Sequence, residues 1–126
     1  MKYLLDTHTL LWFFHNDPKL PESTKDIICS NVDVSVSMAS FWEIAIKKSI
    51  GKLDISESVS DLEQGCIRNH IYILPIKISY LEQLRLLPFI HRDPFDRLLI
   101  STAVEENLTL VTCDEKIQKY NLNILW

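Results

Sequence analysis

Residues 91–112 read HRDPFDRLLISTAVEENLTLVT, a helix signal that runs straight into a short apolar strand. Asp93 before Pro94 makes an N-cap and first-turn pair, because proline's missing N–H costs nothing there. At about 100° per residue, Phe95, Leu98, Leu99, Ile100, Ala103 and Val104 share an apolar side, and Arg97, Ser101 and Glu105 share the polar one. The strand LTLVT (108–112) follows at once. A helix feeding a short apolar strand is one step of a helix–strand alternation, and the same step recurs along the chain.

KYLL (2–5) reads as a buried strand, followed by a helix through HTLLWFFH. PESTKDIICS forms a second helix with Pro21 and Glu22 in its first turn. DVSVS (33–37) alternates as a strand does, and MASFWEIAIKKSI is a helix stopped by Gly51. A more polar helix spans 56–69, the strand IYIL ends at Pro75, and a helix over 79–87 stops at Pro88. After LTLVT come a short helix, DEKIQKY, and a closing strand, NILW. Strands too apolar to be one-sided predict an α/β fold, with a central parallel sheet of about five strands and helices on both faces. At 126 residues the whole chain, 1–126, reads as one domain.

Composition removes several classes. The chain has two glycines, Gly51 and Gly65, so dinucleotide and P-loop phosphate cradles are excluded. There is no G-x-S-x-G elbow and no H-E-x-x-H. Three scattered cysteines, Cys29, Cys66 and Cys113, support neither a disulfide framework nor a zinc knuckle and suit a reducing cytoplasm. Asp6 and His8 interrupt the apolar start, which argues against a signal peptide, and LLWFF is far too short for a membrane span. The net charge of −4 lacks the basic balance of a nonspecific nucleic-acid binder, although local basic groups act at shorter range.

In a parallel α/β sheet, ligands collect beyond the carboxyl ends of the strands. Asp6 directly follows the first strand, and Asp114 lies just past LTLVT. Glu43 occupies the first turns of the helix after DVSVS. Asp96 falls near the middle of the apolar arc of its helix, and an inward carboxylate needs a cation, donors or a shared metal. Each acid also has a plainer role. Asp6, Asp93 and Asp114 suit helix caps, Asp96 suits a first turn, and Glu43 suits an i, i+4 pair with Lys47. Four anions at one sheet edge repel unless neutralised, and oxygen-only ligation suits Mg²⁺ or Mn²⁺ rather than zinc. Phosphodiester hydrolysis is the reaction class that uses such equipment.

The blocks LLDTHTLLW (4–12), SMASFWEIAIKKSIGKL (37–53), HRDPFDRLLISTA (91–103) and LTLVTCDEKIQKY (108–120) resemble the PIN-domain nucleases, in particular the VapC-type toxins of bacterial toxin–antitoxin modules. The resemblance spans nearly the whole chain and implies a Rossmann-like PIN fold, Mg²⁺ or Mn²⁺ dependence and endonucleolytic cleavage of RNA. It also implies a cognate antitoxin that blocks the site, and a homodimer. The family's acidic quartet falls on Asp6, Glu43, Asp96 and Asp114, as catalytic and metal-binding residues. Asp93 matches a further acidic position, and Thr7 and Thr112 stand where they can support a metal-bound water.

For an acidic protein, RNA contact falls to basic residues beside the acids: Lys47, Lys48 and Lys52 after Glu43, Arg92 and Arg97 around Asp96, Lys116 and Lys119 after Asp114. Arg97 leads that set. Trp12, Phe13, Phe14 and Trp42 read as core or dimer-interface aromatics, Cys113 as a small buried residue, and the four histidines show no ligand spacing. Three alternatives remain beside a toxin: a housekeeping RNA-processing nuclease, a phosphoacceptor receiver domain, and a non-catalytic binding module whose acids only cap helices. The receiver lacks its adjacent acid pair here.

Overall fold

The computed structural model describes residues 2–30 and 33–126. Five parallel strands form one sheet in the order β3-β2-β1-β4-β5. They are β1 (Lys2–Leu5), β2 (Asp33–Ser37), β3 (Tyr72–Leu74), β4 (Thr109–Val111) and β5 (Ile124–Leu125). The chain moves outward from β1 through β2 to β3, then crosses back to β4 on the other side of β1. The connection therefore reverses direction between β1 and β4, which opens a crevice at their carboxyl ends.

Among the described residues six α-helices connect the strands: α1 (Thr7–Phe14), α2 (Glu22–Cys29), α3 (Met38–Ser49), α4 (Val59–Arg68), α5 (Ile78–Leu86) and α6 (Pro94–Glu106). The two-residue period of β1 divides the core. Tyr3 and Leu5 face one layer with Leu10, Leu11, Phe41, Ile44, Leu62 and Cys66. Leu4 faces the opposite layer, with Leu99, Ile100, Ala103, Leu110, Ile117 and Tyr120. A small third cluster of Ala39, Tyr80 and Leu98 ties α3 and α5 to α6.

Two expectations are corrected. DEKIQKY forms only a 3-10 turn at Ile117–Lys119, because Asp114 accepts from the Lys116 N–H in a tight side-chain turn. Nor is α6 amphipathic, since every residue from Arg97 to Ala103 is buried. It runs between the sheet on one side and α5 and α3 on the other, so Arg97 and Ser101 face protein instead of solvent.

Candidate active site

The acids stand at the carboxyl ends of β1, β2 and β4. Asp6 follows β1, and its backbone N–H extends the ladder to the Val111 carbonyl at 3.2 Å. Its side chain caps α1, with Oδ1 accepting from Thr9 N–H at 2.8 Å, and the residue is only 6% exposed. The cap occupies one oxygen of the carboxylate, so the capping role and a site role coexist.

Glu43 is 5% exposed in the second turn of α3, far from the exposed pair that i, i+4 spacing alone suggests. The Thr7 hydroxyl donates to Oε1 at 2.7 Å and stands 3.0 Å from Ser40 Oγ. Lys47 Nζ approaches Oε2 at 2.8 Å. The Lys47 pKa is raised chiefly by this hydrogen bond, and the charges of Asp93 and Asp96 add to it. Lys47 is therefore a cation shared by three acids. Thr112 is fully buried, and its hydroxyl accepts from the Asp114 N–H at 3.1 Å. Both threonines bear on acids, one on the Glu43 carboxylate and the other on the Asp114 backbone.

Asp93 caps α6, with Oδ1 accepting from the N–H groups of Phe95 and Asp96. Asp96 lies one turn further in, and its pKa is pushed up to about 7. Burial is the first cause, and repulsion from Asp93, Asp114, Glu43 and Asp6 follows in that order. All five acids thus act on one locale. Among the described residues, no three His, Cys, Asp or Glu side chains stand close enough to hold a metal ion directly. Like charges repel, and local donors hold Asp6, Glu43, Asp93 and Asp114 each in place.

The raised Asp96 carboxyl binds its proton more tightly folded than unfolded. Its stabilising effect is fully present below the ordinary 3.8 and is lost as pH rises toward about 7. In metal-free buffer, the melting-temperature advantage of Asp96→Asn over the native chain should therefore widen between those limits and level off above them. Paired thermal melts across that range check this, and a pH-independent difference rules it out.

Several assignments change. Arg97 is 5% exposed, and its guanidinium is spent on the Pro88, Leu87 and Leu84 carbonyls and the Tyr120 hydroxyl. Burial removes it as a phosphate contact. Lys48 is likewise committed, to the carbonyls of Ile55 and Glu57. Arg92, Lys52, Lys116 and Lys119 are exposed and Lys47 half-buried. Cys113 is exposed, not buried. Trp42 is 57% exposed and packs edge-on against Phe95 at 5.2 Å, which places an aromatic pair beside Glu43 and Asp96. The histidines show no ligand spacing in the sequence, yet His91 Nε2 lies 3.6 Å from Asp96 Oδ2. Because His91 precedes the helix, no helical spacing signals that approach.

A half-open cavity of about 700 Å³ lies at the opposite end of the sheet, lined by Lys2, Asp33, Arg68, Tyr72 and Leu108. None of the five acids Asp6, Glu43, Asp93, Asp96 and Asp114 lines it. Among the described residues no helix is long and apolar enough to cross a membrane.

The sequence matches the PIN domain family over residues 3–122. It is 27% identical over 119 residues to Ribonuclease VapC22 of Mycobacterium tuberculosis, covering 93% of this chain and 90% of that protein. Among solved structures, a chain of VapBC2 from Rickettsia felis bound to a promoter DNA fragment superposes with a TM-score of 0.74 at 20% identity, covering 99% of this chain and 98% of that one. DNA-bound VapBC from Salmonella typhimurium gives 0.71 at 17% identity, with coverages of 99% and 97%. The sheet order, the acids at its carboxyl edge and a family match over nearly all the residues agree, and the chain belongs to the PIN-domain family.

Proposed function

We propose that this chain is a Mg²⁺- or Mn²⁺-dependent endoribonuclease, the toxin of a toxin–antitoxin pair, acting in the cytoplasm. The observation that carries the nuclease reading is Asp96, a carboxyl whose pKa is raised by burial and by the charges of the neighbouring Asp93 and of Asp114, Glu43 and Asp6 from distant parts of the chain. Such mutual repulsion calls for a cation, and the donor set is all oxygen, which suits a hard divalent ion. Mg²⁺ keeps most of its waters and takes one or two carboxylates directly, so it tolerates acids held apart. Asp6, Asp96, Glu43 and Asp114 would hold it, with Asp93 at the rim. When bound, the ion supplies Lewis-acid stabilisation of the phosphate and lowers the pKa of the attacking water.

The chain's own residues prepare the site. Thr7 fixes one oxygen of Glu43, and Lys47 neutralises the other. The α1 cap fixes the direction of Asp6. Thr112 anchors the backbone of Asp114. In this reading Lys47 and the exposed Arg92 would meet phosphates, a short-range attraction that the net charge of −4 hides. The test is cleavage of RNA by the purified chain with Mg²⁺ or Mn²⁺ and none in EDTA; cleavage that persists in EDTA, or never occurs, ends this reading.

The toxin reading rests on the ribonuclease VapC relative and on the VapBC structural neighbours. A small antitoxin that covers the acids is the partner this reading requires. A housekeeping RNA-processing role uses the same site and is distinguished by growth: a toxin arrests cells unless its antitoxin is co-expressed.

The exposed apolar surface supports a dimer. Met38, Trp42, Ile46 and Ile50 repeat every four residues on an exposed stripe of α3 and its C-cap, and Ile78, Leu81, Leu86 and Phe89 are exposed on and just after α5. Two apolar stripes on helices joined through Ala39 and Tyr80 suit burial against a second copy. Ile46→Glu should convert a dimer to a monomer by light scattering while the far-ultraviolet circular dichroism stays unchanged. An unchanged dimer would move the interface elsewhere.

A further inference from the structure

Among the five acids, Asp96 alone receives no hydrogen bond on its carboxylate from the described residues. Asp6 accepts from Thr9 N–H, Glu43 from Thr7 and Lys47, Asp93 from Phe95 and Asp96 N–H, and Asp114 from Lys116 N–H. The group facing Asp96 is His91, whose side chain is 7% exposed and whose buried Nε2 has no hydrogen-bond partner. The 3.6 Å between Nε2 and Oδ2 is beyond an ordinary hydrogen bond and within reach of one after a small rotation.

What Nε2 offers depends on which ring nitrogen bears the proton, and Tyr120 decides this. A phenolic oxygen has one proton and two acceptor lone pairs. Arg97 Nη1 and the His91 backbone N–H both donate into it at 3.3 Å. Neither donor can accept, so together they fill the oxygen's lone pairs. Its proton is left to His91 Nδ1, at 2.9 Å. Nδ1 is then the bare nitrogen, and the neutral ring carries its proton on Nε2, toward Asp96.

We propose that His91 is a positioning residue for Asp96: Arg97 and Tyr120 lock its ring in the Nε2–H tautomer, and that N–H orients the Asp96 carboxylate toward the metal. The role rests on the metal reading of the acids. A ring held on one side and donating on the other is how outer partners orient metal ligands, and losing such a partner typically costs about 10-fold or more in metal affinity.

Two measurements test the proposal. Nitrogen-15 correlation spectra of the full chain, at mildly alkaline pH without metal, should show His91 with a protonated Nε2 and a bare Nδ1. Tyr120→Phe should redistribute the proton between the two nitrogens. Mn²⁺ titration should then show about 10-fold weaker binding for His91→Leu, with affinity recovered in His91→Gln, whose amide supplies a donor at the same reach. A protonated Nδ1 in the native chain, a tautomer unmoved by Tyr120→Phe, or native Mn²⁺ affinity in His91→Leu overturns the proposal. An Nε2–H ring in a native chain that takes up no Mn²⁺ supports the His91–Asp96 contact while defeating the metal reading.

Discussion

Asp96→Asn is expected to abolish RNA cleavage, lowering kcat by about a thousand-fold or more, roughly 4 kcal/mol at ~1.36 kcal/mol per factor of ten. The same substitution is expected to raise the metal-free melting temperature. Both follow from one fact: the Asp96 carboxyl is pushed up to about 7 by burial and by Asp93, Asp114, Glu43 and Asp6. The charged form is costly to the empty fold and needed by the ion. Asparagine keeps the shape, removes the charge and sets amide protons among carboxylates, which relieves the repulsion. Residual cleavage within about ten-fold of native would remove Asp96 from the chemistry. A lower melting temperature in EDTA would show that Asp96 stabilises the fold instead. Asp6 offers a control, since asparagine caps a helix as well as aspartate does. Asp6→Asn should keep α1 intact and still lose cleavage, whereas Asp6→Ala also loses the cap, at about 1 kcal/mol.

The sheet was legible in the sequence because buried parallel strands tend to be apolar on both faces, as in KYLL, IYIL, LTLVT and NILW, and because DVSVS alternates with a period of two; each maps onto an observed strand. The acids at its carboxyl edge were legible for a related reason. A strand end fixes where the next residue lies, so Asp6 and Asp114 were placed as soon as β1 and β4 were. The α6 helix was misread because periodicity assumes one buried face, and a helix packed between a sheet and other helices has more than one. Arg97 and Ser101 look like a solvent face only until α5 is laid over them. His91 was missed for a different reason. Its approach to Asp96 depends on the loop before α6 and on Tyr120, twenty-nine residues away, and no local pattern encodes that meeting.

Arg97→Met is expected to destabilise the protein by about 3 kcal/mol, a large share of the ~5–15 kcal/mol that holds a typical domain folded. The Arg97 guanidinium crosses from α6 to the end of α5. Nη1 donates to the Pro88 carbonyl at 2.8 Å, and Nη2 reaches those of Leu87 and Leu84 at 3.4 and 3.5 Å. The Leu84 and Pro88 carbonyls also accept from the N–H groups of Leu87 and Ile90, so Arg97 adds a second donor at the exit of α5, where a cation meets the negative end of the helix dipole. The guanidinium carbon lies over Phe89, 4.3 Å from the ring centroid. Methionine fills similar space but leaves the carbonyls and the Tyr120 hydroxyl short of a donor. Lysine should rescue little, because one ammonium cannot fork toward several acceptors. Urea unfolding of native, Arg97→Met and Arg97→Lys chains measures the effect. If Arg97 instead served RNA, the midpoints would coincide, and the loss would appear as a higher KM with a shallower salt dependence of binding. The two outcomes differ in kind, so one set of variants decides whether this arginine fastens α5 to α6 or faces the substrate.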